Sequence, residues 1–234
     1  MAEADKPQKT NRLWDLPIRL FHTGIIGLVG FSWYTSENMH VFTFGVQTGP
    51  SLFELHVWSG ISLLVLIIFR LLWGFVGSTP SRFRFFLKGP GAILAYVRGV
   101  KGAGGFGHNP LGALSVVALI AVLLVQPIIG LLSSEDTFGL EGPLSHLVSQ
   151  SDSYWFAGIH DILFNVLLAL LVLHVGVVIY YLVVKKDNLI TPMVTGRTEK
   201  SAPEGIEFPS LWRALFVLAV AAALIWAALA LLAK

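Results

Sequence analysis

The sequence contains no cysteine. Disulfides, thiolate zinc sites, iron–sulfur ligation and covalent haem attachment through C-x-x-C-H are therefore excluded. Charge is also scarce: Asp, Glu, Lys and Arg make up 13% of the 234 residues, about half the share usual in a soluble domain. Against that deficit stand 55% hydrophobic residues and a mean hydropathy of +0.73. A soluble fold of this size has too little interior to hide so much apolar surface. Strand-like alternation is missing as well, which sets aside a membrane β-barrel. What remains is an all-α integral membrane protein surrounded by lipid, and nothing in the composition points to nucleic acid.

A helix needs about 20 mainly apolar residues to cross a bilayer, and five stretches qualify: roughly 17–34, 52–76, 110–132, 155–184 and 211–233. The polar stretch Thr195–Pro209 divides the chain into a four-helix unit, residues 1–197, and a segment, 198–234, that carries a linker and an appended fifth helix. Residues 89–98 are too few and too mixed to span, and are read as a short interfacial helix. The polar, charged residues 1–12 lead into no small-residue cleavage site, so no cleavable signal peptide is expected.

Basic residues are missing from the loops after the first and third spans, which carry Glu37, Glu54, Glu135, Asp136, Glu141 and Asp152. Lys6, Lys9, Arg12 and Arg19 precede or open the first span. Six more, Arg70 to Lys101, lie around the second loop, and Lys185, Lys186, Arg197, Lys200 and Arg213 follow the fourth span. Fifteen of the sixteen basic residues thus fall on one side. The positive-inside rule predicts a cytoplasmic N-terminus and a periplasmic C-terminus for a multi-pass protein of the bacterial inner membrane.

Seven histidines are conspicuous in so apolar a chain, and an ionisable group inside a membrane is a functional candidate. His22 lies one turn into the first span and His56 near the start of the second. His160 and His174, both in the fourth, are 14 residues apart, about 40° short of four full turns. They share a helix face and stand about 21 Å apart along the axis. Topology then pairs His22 with His174 in one leaflet and His56 with His160 in the other. Two facing neutral imidazoles can fill both axial positions of a haem iron. Zinc fits less well, because each layer has two strong ligands and no thiolate. Copper is allowed by ligand type. Gly24, Gly27, Gly30, Gly60, Gly158 and Gly176 near these histidines would admit a flat macrocycle, although small residues also serve ordinary helix packing.

The remaining candidates have two readings each. His108, in Gly107-His108-Asn109-Pro110, is either part of a helix-capping loop or a contact to quinone or a haem propionate. Arg70 and Arg19 either snorkel to the interface or pair with a haem propionate. His40 and His146 are read as solvated loop residues, and the tryptophans as an interfacial belt.

The stretch Leu13-Trp14-Asp15-Leu16-Pro17-Ile18-Arg19-Leu20-Phe21-His22 resembles the start of the first helix in the bacterial cytochrome b561 / nickel-hydrogenase cytochrome b family. Phe69-Arg70-Leu71-Leu72-Trp73-Gly74-Phe75-Val76-Gly77, Gly107-His108-Asn109-Pro110 and Leu189-Ile190-Thr191-Pro192-Met193-Val194-Thr195-Gly196 are similar to it too, in the family's order, over residues 11–197. The resemblance implies a four-helix transmembrane bundle with two b-type haems, held by His22, His56, His160 and His174. It also implies electron exchange between membrane quinone and a redox partner on the outer face. Two departures stand out. Thr23 follows the first histidine where many relatives have Trp, and the fifth helix is extra.

The resulting expectation is a di-haem cytochrome b with quinone as substrate and a periplasmic c-type cytochrome or hydrogenase subunit as partner. Whether it is an enzyme or an electron-transfer subunit stays open. A stand-alone superoxide:quinone oxidoreductase is the alternative, although outer loops without Lys or Arg provide no cationic funnel for the anion. A haem-free proton or ion carrier would need polar chains that the spans lack outside His, Gln126 and Asn165.

Overall fold

The computed structural model describes residues 10–38, 50–100, 102, 105–136 and 139–232. Five helices are long and apolar enough to cross a membrane: α1 (Leu16–Asn38), α2 (Leu52–Val76), α5 (Pro110–Leu132), α6 (Gln150–Val183) and α8 (Leu211–Leu232). Three short helices join them: α3 (Phe83–Phe86), α4 (Pro90–Val97) and α7 (Ile190–Thr195). The segment 89–98, expected as a short helix, forms α4 over Pro90–Val97. Two small ribbons complete the fold. β1 (Asn11–Arg12) pairs antiparallel with β4 (Arg197–Thr198), and β2 (Ser134–Glu135) with β3 (Leu140–Glu141).

Four of the five long helices, α1, α2, α5 and α6, start where the sequence provides a side-chain cap. Ser51 and Glu54 form a reciprocal capping box on α2: Ser51 Oγ accepts from the Glu54 N–H at 3.1 Å and Glu54 Oε2 from the Ser51 N–H at 2.7 Å. Asn109 Oδ1 accepts from the Gly112 N–H at 2.7 Å, with Pro110 opening α5. Asp15 Oδ1 accepts from the Ile18 N–H at 2.9 Å at the head of α1. The α6 helix starts five residues earlier than hydropathy marks, at Gln150, because Ser149 Oγ accepts from the Asp152 N–H at 3.2 Å. That first turn is polar, so its apolar content did not reveal it.

The α2 helix is the centre of the bundle, packed against α1, α5 and α8, while α5 packs against α6. The α1 and α6 helices stand apart and meet through rings: His22 with His174, His56 of α2 with His160, and Trp33 with Phe164 at 6.4 Å. One end of the bundle collects the basic residues, several of them beside carboxylates such as Asp15, Asp187 and Glu207, while the other end carries acidic residues without Lys or Arg among the described residues.

The fifth helix, expected as an appendage, is packed into the bundle. Ala214, Val217 and Ala221 are buried with Leu13, Trp14, Ile18, Phe69 and Trp73. Small residues on α8 let its backbone approach α2 closely, the way helices associate in lipid. The polar stretch before α8 is strapped down as well. Thr79 and Glu207 exchange hydrogen bonds at 3.0 Å, and Arg82 pairs with Glu207 at 3.2 Å. Near the acidic end, His146 Nε2 lies 3.0 Å from the Leu232 carbonyl. Ala221 is fully buried whereas Ala222 is exposed. Ala221→Leu is therefore expected to cost about 1–3 kcal/mol by overpacking and to lower the unfolding temperature in detergent micelles, with Ala222→Leu unchanged. Equal unfolding temperatures for the two variants would mean that α8 is not held on α2.

Candidate functional site

Four histidines form two facing pairs. The ring centres of His22 and His174 are 6.5 Å apart, with planes 52° apart. Those of His56 and His160 are 6.2 Å apart, with planes 80° apart. The pairs lie toward opposite ends of the bundle, and α6 contributes to both. Among the described residues no three His, Cys, Asp or Glu converge as a cage for a metal ion, so each layer is a two-imidazole site.

The acidic-end pair is tautomerically fixed. His56 Nδ1 lies 3.0 Å from the Ser32 carbonyl, and His160 Nδ1 lies 3.0 Å from the Gln126 carbonyl. A carbonyl only accepts, so each Nδ1 carries the proton and each Nε2 keeps its lone pair. The Gln126 side chain returns the contact, donating from Nε2 to the His160 carbonyl at 3.0 Å. This double link ties α5 to α6 at His160. Histidines that bind metals are ordinarily held this way through their second nitrogen.

A cavity of about 740 Å³ opens beside this pair, lined by His56 and His160 and rimmed by Glu37, Glu135 and Asp161. The volume lies within the range of about 300–1,000 Å³ typical of cofactor sites. Gly130, which the sequence reading did not single out, proves critical to this site. A Cβ there would lie 2.8 Å from His160 Cε1. Of the glycines that were singled out, Gly27, Gly30, Gly158 and Gly176 face open space, Gly60 would meet Pro127 at 3.8 Å, and Gly24 would meet Leu66 at 3.0 Å.

At the basic end Arg70 does not snorkel. It is buried, 4% exposed, with its guanidinium carbon 5.1 Å from the centre of the Phe83 ring and 5.8 Å from that of Phe86. Its Nη1 is buried with no partner among the described residues. His108 is sandwiched between Trp14 at 4.8 Å and Phe86 at 4.9 Å, and its Nδ1 is likewise buried and unpartnered. Burial, reinforced by the charges of Arg70 and His174, pushes the His108 pKa down to about 3. Its imidazole is therefore neutral at physiological pH. Asp15, also buried, accepts from Trp73 Nε1 at 3.0 Å and ties α1 to α2 beneath this cluster. Arg19 lies elsewhere: it donates to the Val194 carbonyl and lines a separate crevice with Arg12 and Arg197. His146 is exposed, and His40 lies outside the described residues.

The sequence profile of the prokaryotic cytochrome b561 family matches residues 13–196. The chain belongs to the prokaryotic cytochrome b561 family. No curated protein and no solved structure matches it. Membership of the cytochrome b561 family makes the chain a membrane-embedded haem b protein of electron transfer. The matched region ends before α8, so the fifth helix lies outside the family pattern.

The contact at Gly130 gives a direct test of the acidic-end site. Gly130→Val is expected to displace the His160 ring and lower the haem bound per chain, measured by pyridine haemochrome assay. Gly91→Ala in α4, where nothing lies within 4 Å of the added Cβ, should leave it unchanged. Full haem content in Gly130→Val would remove His160 from the site.

Proposed function

We propose that the chain is a di-haem cytochrome b that carries electrons across the bacterial inner membrane between the quinone pool and a periplasmic c-type cytochrome or hydrogenase subunit. The observation that carries this reading is the spacing of the histidine pairs. Two imidazoles that share one metal, each nitrogen about 2 Å from it, have ring centres about 6 Å apart. The separations in the structure, 6.5 Å for His22/His174 and 6.2 Å for His56/His160, are consistent with that requirement. Haem b supplies one-electron chemistry when bound.

The chain's own residues do the rest. His22 and His174 would hold one haem, and His56 and His160 the other. The carbonyls of Ser32 and Gln126 orient His56 and His160 and raise their basicity. Arg70 and His108 provide a buried cation and a neutral imidazole with unpartnered nitrogens, suited to propionate carboxylates at the basic end. A neutral imidazole suits a quinone carbonyl equally well. By the positive-inside rule this end faces the cytoplasm.

At the opposite end the acidic rim of the cavity supports docking of a partner with a basic face. It disfavours the superoxide reading, because Glu37, Glu135 and Asp161 repel an approaching anion.

The first test is quantitation of haem in the purified chain. Two b haems per chain are expected, and none would end the proposal. His174→Ala should remove the basic-end haem and keep the other; loss of both from a folded chain would mean that the pairing is wrong. Electron transfer to a basic c-type cytochrome should slow steeply with added salt. A rate indifferent to salt would rule out electrostatic docking at the acidic rim.

A further inference from the structure

A second cavity, about 410 Å³, lies at the basic end, well removed in character from the histidine pairs. Thr10, Arg12, Leu16, Arg19, Thr195 and Arg197 line it, and none of the described residues lining it is acidic. The backbone brings this charge together. The β1–β4 ribbon sets Arg12 directly opposite Arg197, an arrangement that like charges destabilise. Gly196 turns the chain at φ +79°, and a Cβ there would sit 2.8 Å from the Trp14 carbonyl oxygen and 3.2 Å from Arg19 Nη1. The glycine thus lets a third guanidinium close on the crevice. Arg12 is braced on the Phe208 ring at 4.3 Å, and Arg197 donates to Thr10 Oγ1 at 3.4 Å. Neither these two nor Arg19 is ion-paired among the described residues, and Arg19 Nε is buried without a partner.

We propose that this crevice binds the phosphate of an anionic phospholipid headgroup. Three converging guanidinium groups with unused donors match a phosphodiester, and basic pockets at the ends of membrane helices are suited to such headgroups. Leu16 lines the crevice and Leu20, one turn further into the bundle, is 62% exposed. Together they offer the acyl chains an apolar track that free phosphate would not use. The site is independent of the haem assignment.

The test uses the full chain in neutral detergent micelles, with unfolding temperature and co-purifying phosphorus as readouts. Phosphatidylglycerol should raise the unfolding temperature saturably, while phosphatidylcholine and inorganic phosphate should not. Each arginine near the headgroup is worth about fivefold in affinity, so Arg12→Gln with Arg197→Gln should weaken the effect about thirtyfold. The paired Arg→Lys variant keeps the charge and should retain most of it. That variant also decides the matter if the glutamine pair loses helical circular dichroism.

Equal response to phosphatidylcholine, saturation by inorganic phosphate, or unchanged affinity in a folded glutamine variant would each overturn the proposal. So would a fall in haem content in the folded glutamine variant, which would assign the crevice to cofactor carboxylates.

Discussion

Inside hydrocarbon an imidazole has no water to satisfy its second nitrogen, so one nitrogen must be tied to protein before the other is free for a ligand. At the acidic end backbone carbonyls make that tie. Each belongs to a helix neighbouring the one that bears the histidine: Ser32 on α1 holds His56 of α2, and Gln126 on α5 holds His160 of α6. The neighbouring helices must therefore keep their register. The capping box at Ser51, the buried Asp15–Trp73 bond and the close approach at Gly130 serve that alignment. Pro127, one residue after Gln126, also lacks the N–H that would bond the Leu123 carbonyl, so α5 is locally irregular where it meets His160.

Charge is unevenly distributed along the bundle. At the basic end, cations are buried among aromatic rings, paired with Glu207 or Asp187, or gathered in a crevice lined by no described carboxylate. At the acidic end, carboxylates line the larger cavity.

Much of this was legible in the sequence. The five long apolar helices, the short helix α4 and both histidine pairings follow from hydropathy, the positive-inside pattern and the angular position of His160 relative to His174. The missed features share one cause: they depend on contacts between residues distant in sequence. Gly130 looks like any other glycine on an apolar helix until His160 is brought against it. Arg70 reads as a snorkelling residue until Phe83 and Phe86 fold back over it. The fifth helix reads as an appendage because its small residues, Ala214 and Ala221, carry no signal of their partner. The start of α6 was misplaced because a polar first turn held by Ser149 is invisible to hydropathy.

The α6 helix contributes one histidine to each pair from one continuous rod. A slip of a single residue would turn both imidazoles by about 100° and shift them about 1.5 Å along the axis, so neither layer can be re-aimed without disturbing the other. Variation in either pair is confined to the facing histidine, on α1 or α2, and to the residues around it. The shared helix acts as a common datum from which the geometry of both pairs is set.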